Sequence, residues 1–144
     1  MRQAFGHLEV PTPGRSFVDI TASLERWLES VAAKEGLFTC FLQHTSASLL
    51  VQENADADVR ADLERFFSAL VPDADAPHGG GRYAHLSEGA DDMPAHVRAA
   101  LTSTHLSVPV REGVMSLGTW QAVYLAEHRR TPHRRRLVLH FLGT

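Results

Sequence analysis

The stretch FLQHTSASLLVQENADADVR, Phe41 to Arg60, strings reactive side chains along one short run. His44 is followed by the hydroxyls of Thr45, Ser46 and Ser48, and then by Glu53, Asn54, Asp56 and Asp58. An imidazole among carboxylates can hold a metal or move a proton. His85 lies in RYAHLSEGADD, and His96 lies on the stretch that follows Asp91 and Asp92. No pair of histidines has zinc-finger or HExxH spacing. A histidine beside an apolar face is more often a hydrogen-bonded core residue than a ligand. Yet His44, His85 and His96 come from a strand, a loop and a helix. Three convergent imidazoles of that kind suit a divalent ion with an open position. His7, His78, His105, His128 and His133 read as surface residues.

The carboxylates divide in the same way. Asp56 and Asp58 stand at a helix start, where the macrodipole favours negative charge. Glu53 and Asn54 precede that helix and can point into a pocket. Of Asp91 and Asp92, one is expected to cap a helix, which leaves the other for a metal or a substrate hydroxyl. The basic run HRRTPHRRR, residues 128–136, holds five of the fourteen Lys and Arg residues. Guanidinium groups make paired planar hydrogen bonds to phosphate, so Arg134, Arg135 and Arg136 are candidates for holding a small phosphate ester. A solvated turn, or arginines pairing with a neighbouring subunit, is the plainer alternative. In LGTWQ, Trp120 can stack on a flat ring and Gln121 points the opposite way, although a core tryptophan would read identically.

These side chains need a frame. The chain of 144 residues is 44% hydrophobic and 22% charged, which suits one globular domain with a real core. A net charge of -3 argues against nucleic acid as a partner. No apolar run is long enough to span a bilayer, and no signal-peptide core opens the chain. A single cysteine, Cys40, excludes an internal disulfide framework. Cytoplasmic location is the resulting expectation. Residues 15–20 read as a strand. Thr21 or Ser23 can cap a helix whose stripe is Leu24, Trp27, Leu28 and Val31. Strands follow at 37–45 and 48–53. A second helix runs from about Asp56 to Leu70, with Val59, Leu63, Phe66, Phe67 and Leu70 inward. A long loop spans 73–90, and a third helix buries Met93, Val97, Ala100 and Leu101. Strands are expected at 106–110, at 117–127 and at 135–142, with a turn at 128–134. The last strand reads as apolar on both sides and would need cover from a second layer or another subunit. The order of elements lacks a βαβ rhythm, so the fold class is α+β with a mainly antiparallel sheet.

Five ordered motifs carry a more specific resemblance. HTSAS at 44–48, ENADADV at 53–59, EGADDMPAH at 88–96, LGTWQ at 117–121 and RRR at 134–136 resemble the YjbQ-like family, described as secondary thiamine-phosphate synthase. The likeness runs from about residue 15 to 143. It implies a β-sandwich flanked by helices, a homotrimer, and a polar pocket near a subunit boundary. It makes His44, His85 and His96 the metal ligands, with zinc or a similar ion favoured by imidazoles and magnesium admissible with a diphosphate substrate. The implied reaction joins hydroxymethylpyrimidine diphosphate to a thiazole phosphate and releases pyrophosphate. Trp120 or Tyr83 would stack on the pyrimidine, Glu53 or Asn54 would bind its amino group, and metal and arginines would stabilise the departing charge. Two other readings stay open. One is a metal-dependent hydrolase of phosphate esters with Glu53 or Asp92 as base. The other is a non-catalytic trimeric binding protein.

Overall fold

The computed structural model describes residues 1–144. Its elements in chain order are β1 (Arg2–Thr12), β2 (Ser16–Asp19), α1 (Thr21–Ser30), β3 (Gly36–Leu42), β4 (Ala47–Glu53), α2 (Ala57–Leu70), α3 (Asp92–Leu101), β5 (His105–Arg111), β6 (Val114–Met115), β7 (Gln121–Glu127) and β8 (His133–Gly143). One sheet has the order β1-β8-β3-β5-β6 and the other β2-β7-β4. Every ladder is antiparallel. The α+β class is therefore as expected from the sequence. Between the sheets lies one core. Phe38, Cys40, Leu42, Leu137, Leu139 and Phe141 come from the larger sheet, Leu49, Val123 and Leu125 from the smaller, and Leu24 and Leu28 from α1. Burying each large apolar side chain is worth roughly 1.5–3 kcal/mol, so this core sets how the sheets sit.

Several local expectations need correction. The sequence pattern gives no element before Arg15, yet β1 pairs with β8 along its whole length. Its outward positions include the apolar Phe5 and Pro11 and its inward ones the small Ala4 and Gly6, so the alternation is faint. Gly6 sits where any Cβ would run into the Trp27 indole nitrogen, so a glycine lets α1 close on the strand. Neither Thr21 nor Ser23 caps α1. Asp19 accepts the Thr21 N–H, and the Thr21 hydroxyl accepts the Val123 N–H.

The strand buried on both faces is β7, which is covered at every position from Ala122 to Glu127. The apolar pattern points to β8 for that role. In the structure β8 buries one face only, through Arg135, Leu137, Leu139 and Phe141, and leaves Arg134, Arg136 and Leu142 exposed. Strand β7 begins at Gln121, so Trp120 precedes it in a turn.

Two helix faces also differ from expectation. No residue of α2 is fully buried, and Phe66 and Leu70 are exposed. On α3 the buried face is Asp92, Pro94, Ala95 and Arg98, while Leu101 is exposed. The cause is an ion pair. Arg98, almost wholly buried, donates to Glu64 at 2.9 Å and ties α3 to α2 through charge rather than through an apolar stripe. No helix is long and apolar enough to cross a membrane.

Candidate metal centre

Four donors converge at the start of α3. His85, Glu88, Asp92 and His96 each offer one ligand atom, and these atoms lie within 4.8 Å of one another. Asp92 is the hub. Its Oδ2 is 2.8 Å from His85 Nε2 and 3.1 Å from His96 Nε2. Glu88 Oε2 lies 3.5 Å from His85 Nε2. Ligand atoms around a tetrahedral ion with bonds of about 2.0–2.1 Å would be about 3.3–3.4 Å apart. Three of the six separations, from 2.8 to 3.5 Å, bracket that value and the others are at most 4.8 Å, so small side-chain adjustments would close the four donors on a divalent ion.

Local structure explains the convergence. Asp92 and His96 are one turn apart on α3 and share a face. Asp91 occupies the N-cap position without a capping bond. Its carboxylate instead accepts from Arg129 Nε and from the Arg130 N–H. The loop 73–90 then carries His85 and Glu88 back over the helix start.

The electrostatics favour a cation. Asp92 is 2% exposed. Burial pushes its carboxyl up, but hydrogen bonds with His85 and Glu88 and the charge of Arg129 outweigh this and hold it below its ordinary range. The hydrogen bond to Asp92 raises His85 above the ordinary imidazole value. His96 has an acceptor at each ring nitrogen, the Thr45 carbonyl at Nδ1 (2.9 Å) and Asp92 at Nε2. Both are satisfied only with a proton or a metal ion on Nε2. A backbone carbonyl on the far nitrogen is the usual way to fix a liganding imidazole.

His44 is not part of this group. Its Nε2 accepts the Arg136 backbone N–H at 2.9 Å, and its Nδ1 is 3.3 Å from Arg135 Nη1. Burial lowers this imidazole below its ordinary value, and the Arg135 charge adds in the same direction. Both nitrogens of His44 thus face donors where those of His96 face acceptors. The two histidines nevertheless line one cavity of about 260 Å³, with Thr45, Ala99, Ala100 and Thr104. A larger hollow of about 470 Å³ beside Glu25, Glu29 and Glu112 gathers no comparable donor set.

The arginine triplet does not form a clamp. Strand alternation turns Arg134 and Arg136 outward, and Arg135 inward, where it is 3% exposed. Arg135 donates to Glu127 through Nε at 2.8 Å and Nη2 at 2.5 Å, and through Nη2 to Ser46 Oγ at 3.0 Å. Thr12 also donates to Glu127, at 2.6 Å. Burial raises the Glu127 carboxyl, but these bonds hold it below its ordinary range. Next in the chain, His128 is buried rather than on the surface. Burial and the Arg98 charge push it down to about 3, and its Nε2 meets Ser48 Oγ at 2.9 Å. Burial pushes the Cys40 thiol up to about 12, which removes it as a nucleophile.

Glu53, Asn54, Trp120 and Gln121 gather elsewhere. Glu53 pairs with Gln121 at one end of the β4–β7 ladder, and Ala47 pairs with Glu127 at the other. The histidines adjoin the Glu127 end, through Thr45. Seven strand residues put roughly 20 Å between the ends. Glu53 Oε2 accepts the Asp56 N–H, the Asn54 N–H donates to the Trp120 carbonyl, and Gln121 accepts the Gly118 N–H. Tyr83, the other candidate stacker, donates its hydroxyl to the Pro72 carbonyl. Sequence reasoning missed Glu88 as a donor. Its position three residues after His85 was the available signal.

A family profile described as UPF0047 protein YjbQ-like matches residues 6–144. The chain belongs to that family. It is 46% identical over 136 residues to UPF0047 protein sll1880 of Synechocystis sp., covering 94% of this chain and 89% of the relative. It is 46% identical over 108 residues to UPF0047 protein YjbQ of Escherichia coli O157:H7, covering 75% and 74%. The crystal structure of the conserved hypothetical protein TT1486 from Thermus thermophilus superposes with a TM-score of 0.82 at 37% identity, covering 95% of this chain and 99% of that one. None of these names states an activity.

Proposed function

We propose that the protein is an enzyme that uses a divalent transition-metal ion at His85, Glu88, Asp92 and His96 to act on a small phosphorylated substrate. The observation that carries this reading is the buried Asp92 oxygen shared by two imidazoles, one of them fixed from behind by the Thr45 carbonyl. A mixed nitrogen and oxygen donor set suits zinc, manganese or iron better than magnesium, which prefers oxygens throughout. When bound, such an ion supplies Lewis-acid polarisation of a phosphoryl oxygen. The chain's own residues do the rest. Thr45, Thr104 and His44 line the adjoining cavity and would orient the substrate. At about 260 Å³ the cavity is just under the usual range of roughly 300–1,000 Å³, so it takes a small ester or the phosphorylated end of a larger one.

Within one chain this arrangement supports phosphate-ester hydrolysis first, because Glu53, Asn54, Trp120 and Gln121 are too far from the donors to share a substrate. Thiamine-phosphate synthesis, implied by the family resemblance, is the second reading. Trp120, 63% exposed beside Asn54, favours it, as a platform for a pyrimidine ring. That reaction requires the Trp120 end of one copy to meet the histidine end of another, as a homotrimer would allow.

The test uses protein purified without an affinity tag. Metal content is measured by elemental analysis, and products are followed with phosphate esters and with the diphosphate and thiazole phosphate pair. Phosphate release that Asp92→Asn abolishes supports hydrolysis. A new carbon–nitrogen bond supports the synthase. No bound ion and neither product would leave a binding scaffold.

A further inference from the structure

Arg129 lies in the turn after β7, and its guanidinium reaches the donor-bearing segment at three points. Nε donates to Asp91 Oδ2 at 3.0 Å. Nη1 pairs with Asp92 Oδ1 at 2.8 Å. Nη2 donates to the Glu88 carbonyl at 3.0 Å. Two of these points belong to proposed ligand residues, and the third belongs to the residue between them. The backbone of Arg129 is anchored in turn, since its N–H donates to the buried Glu127 at 3.3 Å. The run of basic residues suggests a phosphate clamp in the sequence. Arg129 is the member of it that holds proposed ligands instead.

Asp92 has two oxygens, and they are not equivalent. Arg129 takes Oδ1, so Oδ2 is the one presented to His85 and His96. The same guanidinium fixes the backbone at Glu88, and so sets where that carboxylate starts. We propose that Arg129 is the positioning residue of the metal centre, holding Glu88 and Asp92 in the geometry that receives an ion. This rests on the metal reading above.

Charge and shape make opposite predictions for Arg129. A guanidinium beside a cation repels it, so a purely electrostatic Arg129 would weaken ion binding, and its removal would tighten it. A positioning Arg129 does the reverse, because its planar fork cannot be replaced by the point charge of lysine. Arg129→Lys retains the charge and loses the three-point hold. Arg129→Gln loses the charge and retains an amide donor.

The experiment titrates wild type, Arg129→Lys and Arg129→Gln with cobalt(II), at a temperature where all three are folded. It also measures amide hydrogen exchange over residues 85–92 in metal-free protein. The expected result is cobalt affinity about 10- to 100-fold weaker in Arg129→Lys, with an altered cobalt absorption spectrum and faster exchange in that segment. Wild-type affinity and spectrum in Arg129→Lys would overturn the proposal, and so would tighter binding in Arg129→Gln. If wild type binds no cobalt, the metal reading fails by itself. Faster exchange over 85–92 in Arg129→Lys would then still support the hold, and unchanged exchange would overturn it.

Discussion

The β4–β7 ladder has two unlike ends. At the Glu127 end, polar groups are buried and matched: Glu127 with Arg135 and Thr12, Ser48 with His128, Asp92 with two histidines and Arg129. At the Gln121 end, Trp120, Asn54 and Gln121 are exposed, and their bonds are a backbone contact from Asn54 to Trp120 that extends the ladder and a turn bond from Gly118 to Gln121. Burying ionic groups costs several kcal/mol per ion unless the geometry is good. A chain carries that cost where a charge must be held in place. The first end holds charge in fixed positions, and the second presents surface.

Opening the buried pair should have the largest effect. Arg135→Met leaves Glu127 charged and without its main partner. Loss of one member of such a pair typically costs about 3–5 kcal/mol. Urea unfolding should show a loss of that size, whereas Arg134→Met, on the exposed side of the same strand, should change stability by less than about 0.5 kcal/mol. Equal effects would mean that the first end is no better organised than the surface.

Ion binding should also separate the two ends. Asp92→Asn should weaken cobalt binding by about 100-fold or more, beyond the roughly 10- to 100-fold expected for an outer partner. Glu53→Gln should leave the affinity unchanged, since Glu53 belongs to the other end. A His44→Ala variant that keeps wild-type affinity would confirm that His44 faces the cavity and not the ion. Loss of affinity in Glu53→Gln would show that the ends communicate.

A smaller effect comes from pH. His128 falls from the ordinary 6.5 to about 3 in the folded protein, while the unfolded chain takes up its proton near 6.5. The unfolded state therefore binds more protons between these values. Stability is complete above about pH 6.5 and declines as pH falls, by up to about 1.4 kcal/mol per unit. Between pH 6.5 and 5 the loss should be about 2 kcal/mol by urea unfolding. His128→Gln should flatten that slope. A slope that survives the substitution would assign the acid sensitivity to His44, the other imidazole held below its ordinary value, since the lowered carboxylates act only at lower pH.

What the sequence makes legible follows the same division. Elements carried by apolar periodicity, such as α1 with Leu24 and Leu28, are readable. So is the antiparallel α+β class. The features that escape it depend on charges meeting across the chain. The buried face of α3 is decided by Arg98 reaching Glu64, 34 residues away. Arg135 looks like a phosphate ligand because its partner Glu127 is across a turn. His44, His85 and His96 look equivalent in sequence, and only the donors and acceptors around each ring separate them. Glu88 and Arg129 enter the site through a loop, where no periodicity marks them.

The smallest expected effect lies at the open end. Trp120 is 63% exposed, and its backbone carbonyl accepts the Asn54 N–H at 2.9 Å. Trp120→Ala should therefore shift stability by no more than about 0.5 kcal/mol, with the same shift at every protein concentration. A folded assembly behaves differently, because subunit contacts make stability rise with concentration. If the variant lost more than about 2 kcal/mol, with a loss that changed on dilution, another copy of the chain must cover the indole. The two ends would then be halves of one site built between subunits, as the synthase reading requires. The roughly 20 Å between them would measure the spacing of half-sites within a chain.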